Sequence, residues 1–596
     1  MPQEAPDPLV SVDHVDGGEP FSPEPSCRSY RIDDLNSGQR AAGSGQRAAG
    51  SGQRTVLLAF RSAGALHRLL DVLPVFDGDE RVDSRFTLVP GSSFGTDALT
   101  SLERSGARLL PWDEARRRTH DLVLTASPKG ELRALRGPSV LLPHGAGFNK
   151  ALAYEGSPAL PSGLDPGYLL DDGEPWAALH ALAHGSQLDR LAEHCPPAAA
   201  RATVVGDPTF DRLLGSLGHR DDYRAALGTG GRRLVVLTST WGPESLLARR
   251  PGLPAGLVHG LPHDAYQFAL VLHPNEHSDI GGFDLGRRLA PAMNAGLVLA
   301  GPHEEWAALL VASDAVVTDH GSTALYAAAL GRPVVGAYDG GQELIPGSPM
   351  AEVLARAPRF TGTAGLPDAL AAAGARDCRT PARAAFALPG RALARLRAEL
   401  YRLLDLAPRP GRPEVRPLPR PAPRDHRPHA FAVRAEVSGP RVAVERFPAA
   451  TPLVAHHLAA ELPGAGRAAQ SAAVLWRRAA PLPRTPHTSA WTAAGWTARA
   501  LEEHPGCRTA AALLTPERLL VRHRSAGALS VRVEPCAEGG RVLRTDPAAA
   551  LSAVHAWLSA APGAPAAPVT LVCAVGPLGV RVRVGPADDA DLGYEL

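Results

Sequence analysis

From Thr55 onward, short continuous runs of apolar residues alternate with stretches whose apolar residues recur at helical spacing. Continuous apolar runs of this length are typical of strands buried on both faces of a parallel sheet. The pattern therefore predicts a doubly wound α/β unit, a first Rossmann-like lobe, over residues 55–225. Its predicted strands lie at residues 55–61, 86–90, 107–111, 120–126, 138–145, 180–184 and 201–208.

A second series of the same kind predicts another Rossmann-like lobe over residues 226–407. An amphipathic helix at residues 390–406 ends it. Two consecutive lobes of similar size predict a cleft between them, at the carboxyl ends of both sheets. The predicted strands of the second lobe are residues 232–241, 266–274, 295–301, 314–321 and 333–339, with helices at 303–313 and 322–332.

The segments outside the two lobes differ in composition. Residues 1–54 are rich in Gly, Pro and Ser and repeat the motif SGQRAAG, which predicts a disordered tail. Residues 408–428 hold eight prolines and six arginines and predict an extended linker.

Residues 429–596 predict an α+β domain with a half-exposed antiparallel sheet, and we assign it no role. Its predicted strands are residues 429–437, 441–447, 518–524, 528–535, 569–575 and 579–585, with helices at 452–462 and 546–560.

Charge and cysteine content exclude several classes of protein. The 62 basic and 61 acidic residues leave a net charge of +1, so no overall field attracts nucleic acid, and we expect no nucleic-acid partner. Six scattered cysteines without a Cys-x-x-Cys pair exclude a disulfide scaffold and an ordinary zinc module. Without a signal-peptide pattern or a long apolar run, the expected location is the cytoplasm, with peripheral membrane association still open.

A polar turn at Asp319, His320 and Gly321 follows a predicted buried strand and precedes a helix that begins with Ser322 and Thr323. Free backbone N–H groups and hydroxyls at the start of a helix bind anions, so this turn is a candidate diphosphate site. The alternative is that Ser322 only caps the helix.

A second candidate follows the predicted strand at 138–145. Gly145 permits close approach of a ligand, and His144 titrates near neutral pH, so its imidazole can accept a proton from an attacking hydroxyl. Lys150, one of only two lysines in the chain, supplies a point charge for phosphate. The alternative is a capping or core histidine.

Two further strand ends carry polar residues. His273 follows the strand at 266–274 and is expected to contact a phosphate oxygen. We predict no metal there, because Pro274 is expected to break the helix that would align His273 with His277. Thr238, Ser239 and Thr240 offer hydroxyl donors where another strand ends.

In order along the chain, these motifs resemble the CDP-glycerol glycerophosphotransferase family, the teichoic acid polymerases of GT-B architecture. The resemblance covers residues 55–375 and rests on His144-Gly145 with Lys150, VVGDPTFDRL at 204–213, VVLTSTW at 235–241, VLHP at 271–274 and ASDAVVTDHGSTALYAAALGRPVV at 312–335.

The resemblance implies residue roles. His144 would be the base on the acceptor side, His273 would contact the donor phosphate, and Ser322 with Thr323 would form the pyrophosphate turn. Gly206 and Asp211 would belong to the segment between the lobes.

The implied reaction is attack of a polyol or lipid-linked acceptor hydroxyl on a nucleotide-activated, CDP-glycerol-like donor. It releases CMP and requires neither cofactor nor metal. The sequence departs from the family at Tyr326, where an acidic residue is expected to hold the ribose, so the nucleotide stays open.

Three alternatives stay open. The UDP-N-acetylglucosamine 2-epimerases share this kind of donor site but use several carboxylates, for which Asp207, Glu276 and Asp319 are candidates. A GT-B-like protein without turnover would act as a binding scaffold. A hydrolase with Ser93 in GSSFG as nucleophile is disfavoured, because only one strand precedes the motif.

Overall fold

The computed structural model describes residues 53–92, 99, 102, 106–151, 157, 160–301, 303–422, 427–479, 490–560, 563, 565 and 567–596. The predicted N-terminal tail, except for its last two residues, lies outside this described part, as does Ser93 of the GSSFG motif.

The first lobe is a parallel sheet with helices on its faces. Its first strand, Arg54–Phe60, is buried from Val56 to Phe60, as its continuous apolar sequence predicts. The sheet order is Val82–Leu88, Arg54–Phe60, Leu122–Thr125, Ser139–Leu141, Leu179–Leu182 and Ala202–Val204. The main helices of this lobe are Ala63–Leu70, Gly185–His194 and Pro208–Gly215.

The second lobe is also a parallel sheet covered by helices. Its strand order, third-second-first-fourth-fifth, is that of a Rossmann sheet without the sixth strand. In that order the strands are Val298–Leu299, Tyr266–Leu272, Arg233–Ser239, Ala315–Thr318 and Val334–Gly336. Its main helices are Arg220–Ala226, Leu253–Gly260, Pro274–Ile280, Gly282–Asn294, Glu305–Ala312, Thr323–Ala329, Pro349–Arg356 and Leu366–Gly374.

The chain returns from the second lobe to the first before the linker. The helix Ala392–Leu403 packs Leu393, Leu396 and Leu400 into the core of the first lobe. In its described residues 408–422, the proline-rich segment then runs along both lobes and contains no helix or strand. Tyr223 donates a hydrogen bond to the carbonyl of Leu418 at 2.7 Å.

The C-terminal domain is a sheet that closes on itself around a helix. The helix Pro547–Ala560 is apolar on almost every side and is buried, as expected for a helix surrounded by core. Around the ring the strands are Ala430–Ser438, Arg441–Pro448, Val569–Val575, Leu578–Pro586, Gly527–Val533, Arg518–His523, Thr509–Thr515, Val474–Arg478 and His457–Glu461, with Ala493–Glu503 packed outside.

A buried ion network joins this domain to the second lobe. Arg446, fully buried, makes a bidentate pair with Asp264 at 2.6 and 2.8 Å and contacts Asp546 at 3.0 Å. Such paired charges hold a fixed geometry because neither partner can be left unpaired without a large cost.

The predicted fold class, two Rossmann-like lobes of GT-B type followed by an α+β domain, is confirmed. Two predicted elements are wrong. Residues 452–462 contain the strand His457–Glu461 rather than a helix, because pairing with strands on both sides overrides the helical preference of an alanine-rich sequence. Residues 107–111 form a single bridge from Leu109 to Phe86 rather than a strand.

The C-terminal sheet is also more closed than predicted. It is not purely antiparallel, since Arg441–Pro448 runs parallel to Val569–Val575. None of the helices in the described part of the chain combines the length and the apolar character that a membrane crossing requires.

Candidate active site

The two lobes enclose a cavity of about 450 Å³. In the first lobe the strand order reverses between Arg54–Phe60 and Leu122–Thr125. Arg61 and Ser127, just after these strands, line the cavity. Ligands of open α/β sheets bind at such reversal points, beyond the carboxyl ends of the strands.

The second lobe presents its own reversal point to the same cavity. There the order reverses between Arg233–Ser239 and Ala315–Thr318. Thr240 and Gly321, which follow these strands, are among the lining residues. The cavity therefore lies where both lobes independently favour a ligand.

His144 lines the cavity from the first lobe, and its ring is held by a backbone carbonyl. Its Nδ1 lies 2.7 Å from the carbonyl oxygen of Ala126. Because a carbonyl only accepts, Nδ1 carries the hydrogen, and Nε2 of the neutral ring keeps a free lone pair. The side chain of His144 is exposed to the cleft, but the protein around the cleft displaces part of its hydration. This loss of hydration, together with the positive charges of Arg68 and Lys129, lowers the pKa of His144 below its ordinary value. The ring is therefore neutral at pH 7 and able to accept a proton.

His273 lines the cavity from the second lobe and has the opposite tautomer. It is the N-cap of the helix Pro274–Ile280, and its Nδ1 accepts a hydrogen bond from the backbone N–H of Asn275 at 3.1 Å. The hydrogen of the neutral ring is then on Nε2. Burial, with smaller contributions from His144 and Lys150, lowers the pKa of His273 to about 3.

The geometry corrects one expectation about this segment. Pro274 does not break the helix but begins it, since proline is favoured at the first helical position. His273 precedes the helix and His277 lies within it.

Lys150 reaches the cavity as part of a charged chain. Its Nζ lies 2.7 Å from Glu343 Oε2 and donates to the carbonyl of Trp241 at 3.2 Å. Glu343 Oε2 also lies 3.0 Å from Nε2 of buried His320. Although burial alone would raise the pKa of Glu343, the hydrogen bonds from His320 and Lys150 lower it below its ordinary value. Glu343 is thus ionised at pH 7 and neutralises part of the positive charge.

The hydroxyls after the first strand of the second lobe are only partly available. Thr238 donates to Thr318 at 2.7 Å, and Ser239 donates to the carbonyl of Thr240 at 3.1 Å. All three predicted residues line the cavity. Asp319, which does not line it, is fully buried and accepts from the backbone N–H groups of Thr240 and Leu246. Its carboxylate therefore shapes the loop around the cavity.

Ser322 faces the first lobe across the cleft. It precedes the helix Thr323–Ala329, but its side chain makes no capping hydrogen bond. Its Oγ lies 3.3 Å from the position that a Cβ on Gly145 would occupy. His144, Gly321, Ser322 and Thr323 all line the same cavity.

Gly206 lies outside the cavity, at the junction between the lobes. Its φ is +90°, and a Cβ there would lie 2.9 Å from the carbonyl of Ala387. Nearby Asp211 accepts from the backbone N–H groups of Gly390 and Ala392. Both residues fix the chain crossing between the lobes.

Tyr326, where the sequence resemblance led us to expect an acidic residue, does not line the cavity. It is fully buried, and its hydroxyl donates to Asp207 Oδ2 at 2.7 Å, with Arg68 over the ring at 5.3 Å. This group links the two lobes. The other carboxylate candidate, Glu276, accepts from the backbone N–H of Gly242 at 3.4 Å and is also outside the lining.

Sequence reasoning missed Glu343 as a member of the site and gave Trp241 no role. Trp241 is the last residue of the motif VVLTSTW at 235–241, and Lys150 Nζ lies 5.1 Å from its ring centre. Glu343 follows two glycines in a loop, and nothing in its local pattern distinguishes it.

No protein-family model matches the chain, and no curated protein matches it significantly. Among solved structures, the wall teichoic acid polymerase TagF is 14% identical, with 59% of this chain and 89% of that chain covered, at a TM-score of 0.43. The UDP-GlcNAc 2-epimerase from Neisseria meningitidis bound to UDP-GlcNAc is 15% identical; the match covers 59% of this chain and 99% of that chain, with a TM-score of 0.39. S. aureus MnaA, solved with UDP, is 11% identical; the match covers 61% of this chain and 100% of that chain, with a TM-score of 0.38. Likeness at this level says nothing about the reaction.

Proposed function

We propose that the chain is a transferase that moves a glycerophosphate or glycosyl group from a nucleotide diphosphate donor to an acceptor hydroxyl. One observation carries the proposal: two histidines of opposite tautomer line a single cavity between two Rossmann-like lobes. A proton acceptor on one wall and a proton donor on the other are what transfer between an alcohol and a phosphate ester requires.

His144 acts on the acceptor. Its Nε2 accepts the proton of the attacking hydroxyl, while the Ala126 carbonyl holds the other ring nitrogen and fixes the ring. The imidazolium formed is stabilised by the same hydrogen bond, since the carbonyl favours the charged ring.

The second lobe acts on the donor. Nε2–H of His273, the turn around Gly321 and the hydroxyls of Ser322 and Thr323 bind the diphosphate, and Lys150 adds positive charge. With a CDP-glycerol-like donor the acceptor oxygen bonds to the β-phosphorus, the bond to the bridging oxygen breaks, and CMP leaves. The acceptor is a polyol or a lipid-linked alcohol.

The positions of the three candidate carboxylates favour a transferase over an epimerase. Asp207 and Asp319 are buried in internal hydrogen bonds, and neither lines the cavity, nor does Glu276. An epimerase that relies on carboxylates near the sugar would need such groups facing the cavity.

The test is a thermal-shift screen of the full chain against CDP-, UDP- and GDP-linked donors, followed by assay of nucleotide release with a polyol acceptor. We expect one donor class to raise the melting temperature, because a ligand that binds only the native state stabilises it, and to release the nucleoside monophosphate or diphosphate. Binding without release would support the scaffold, and isomerisation of UDP-GlcNAc without transfer would support the epimerase. No binding to any donor would refute all three.

A further inference from the structure

Three histidines come together at one end of the closed sheet in the C-terminal domain. His457 begins the strand His457–Glu461, His456 immediately precedes it, and His555 lies on the enclosed helix Pro547–Ala560. One ring nitrogen from each lies within 4.8 Å of those of the other two. We call this group the histidine cluster.

The cluster combines burial with access from solvent. His457 and His555 are buried, and His456 is exposed. The rings of His457 and His555 are 4.6 Å apart at an edge-to-face angle of 69°. A metal ion at the cluster would therefore be bound by two buried histidines and would remain accessible to solvent beside His456.

A hydrogen bond orients the ring of His555. Its Nδ1 lies 2.8 Å from Oγ1 of Thr509, which is also fully buried. Nε2 is then the nitrogen left for a ligand. Metal-binding histidines commonly have the second ring nitrogen fixed in this way, because it sets both the tautomer and the ring plane.

His457 has hydrogen-bonding capacity that the protein does not use. Its Nε2 is buried without a hydrogen-bond partner, although the residue is only 6% exposed. Its Nδ1 lies 2.9 Å from Nδ1 of His456. Buried polar atoms are rarely left unpaired, so the unmatched Nε2 of this histidine in the cluster indicates a missing partner.

Neutral imidazole is the form of histidine that binds divalent transition metals.

We propose that His456, His457 and His555 bind a divalent transition-metal ion of the zinc class, with one coordination position open to solvent. Imidazole nitrogens suit Zn²⁺, Co²⁺, Ni²⁺ and Cu²⁺ rather than Mg²⁺ or Ca²⁺. Tetrahedral bonds of about 2.0–2.1 Å place ligand nitrogens roughly 3.4 Å apart, so only small ring movements separate the present arrangement from a bound one.

This proposal is independent of the cleft and its function. The competing explanation is a metal-free cluster in which His456 and His457 share one hydrogen bond between neutral rings. The two explanations differ in metal content and in how the His456 variant behaves.

The test uses the full chain without a histidine tag, stripped with a chelator and titrated with Co²⁺ and then Zn²⁺. We expect about one Co²⁺ per chain with the visible absorption of a tetrahedral site, displaced by Zn²⁺. His456→Ala should abolish it without unfolding the domain, because His456 is exposed. Thr509→Val should weaken affinity by roughly 10–100-fold.

His504→Ala, a histidine of the same domain outside the cluster, is the matched control and should leave binding unchanged. The absence of Co²⁺ and Zn²⁺ binding by the native chain would overturn the proposal. Full binding by both His456→Ala and His555→Gln would overturn it equally, since the metal would then lie elsewhere.

Discussion

The two walls of the cleft use the same residue in opposite ways. His144 and His273 each follow a parallel strand, one in each lobe, and each is held through Nδ1 by the backbone. In the first lobe the backbone partner is a carbonyl, and in the second it is an N–H group. The ring of His144 therefore offers a lone pair, whereas the ring of His273 offers a hydrogen.

The difference shows that the local backbone, rather than the residue type, sets the chemistry. His273 is an N-cap, so the free N–H groups at the start of its helix impose the acceptor role on Nδ1. His144 has no helix after it and meets the Ala126 carbonyl, at the end of a neighbouring strand. This difference is the reason why the proposed function places the base in the first lobe and the phosphate contact in the second.

The largest effect should come from His144→Ala. Loss of a general base typically costs about 10²–10⁴-fold in rate, so turnover should fall by that factor while nucleotide affinity stays within a few-fold. The measurement is nucleotide release beside calorimetric binding. His194→Ala, at the end of a helix of the same lobe, is the control and should be neutral.

The proposed role of His144 as the base also determines how the activity depends on pH. A base works only when it is unprotonated, and the pKa of His144 lies below its ordinary value. The native enzyme should lose kcat/KM as the pH falls below about 6.5. Unchanged turnover in the His144→Ala variant would show that His144 is not the base. Loss of activity only at alkaline pH would show the same.

His273→Asn should have the next largest effect. Asparagine is a good N-cap, so the helix Pro274–Ile280 is kept while the Nε2–H donor is lost. A hydrogen bond to a charged group contributes about 1.5–3 kcal/mol, so donor binding should weaken by roughly 10–100-fold. The measurement is the dissociation constant of the nucleotide.

His219→Asn is the matched control, because His219 also precedes a helix but makes no capping bond with its side chain. If His273→Asn and His219→Asn bind the donor equally well, the phosphate contact is not made by His273. The proposed role of the second wall as the hydrogen-bond donor to phosphate would then be wrong.

The sequence predicts the lobes because buried parallel strands are continuously apolar. Both sheets follow from that signal, but the order of their strands, which sets the reversal points, does not. The C-terminal domain is harder to predict from its sequence. The segment around His457 has helical spacing, yet pairing with Ala430–Ser438 and Val474–Arg478 on either side makes it a strand. Long-range pairing of this kind is not encoded locally.

The candidate site is predictable only in part for the same reason. His144, His273 and Ser322 stand at strand ends, and their order along the chain indicated a shared cleft. Glu343 stands in a loop and meets Lys150 only in the folded chain. The tautomers could not be predicted either, because they depend on which backbone group lies beside each ring.

The smallest effect should come from Glu343→Gln, which changes the charge between the two walls. The ionised carboxylate pairs with Lys150 and His320, so its removal makes the cleft more positive. Donor affinity should rise by on the order of 1 kcal/mol, or roughly five-fold, and less at high salt. Calorimetry of nucleotide binding measures this, with Glu352→Gln, an exposed residue paired with Arg356, as control. Equal donor affinities in the two variants would mean that the charge of Lys150 does not affect phosphate binding. The second lobe would then bind the phosphates through His273 and the turn at Gly321 alone.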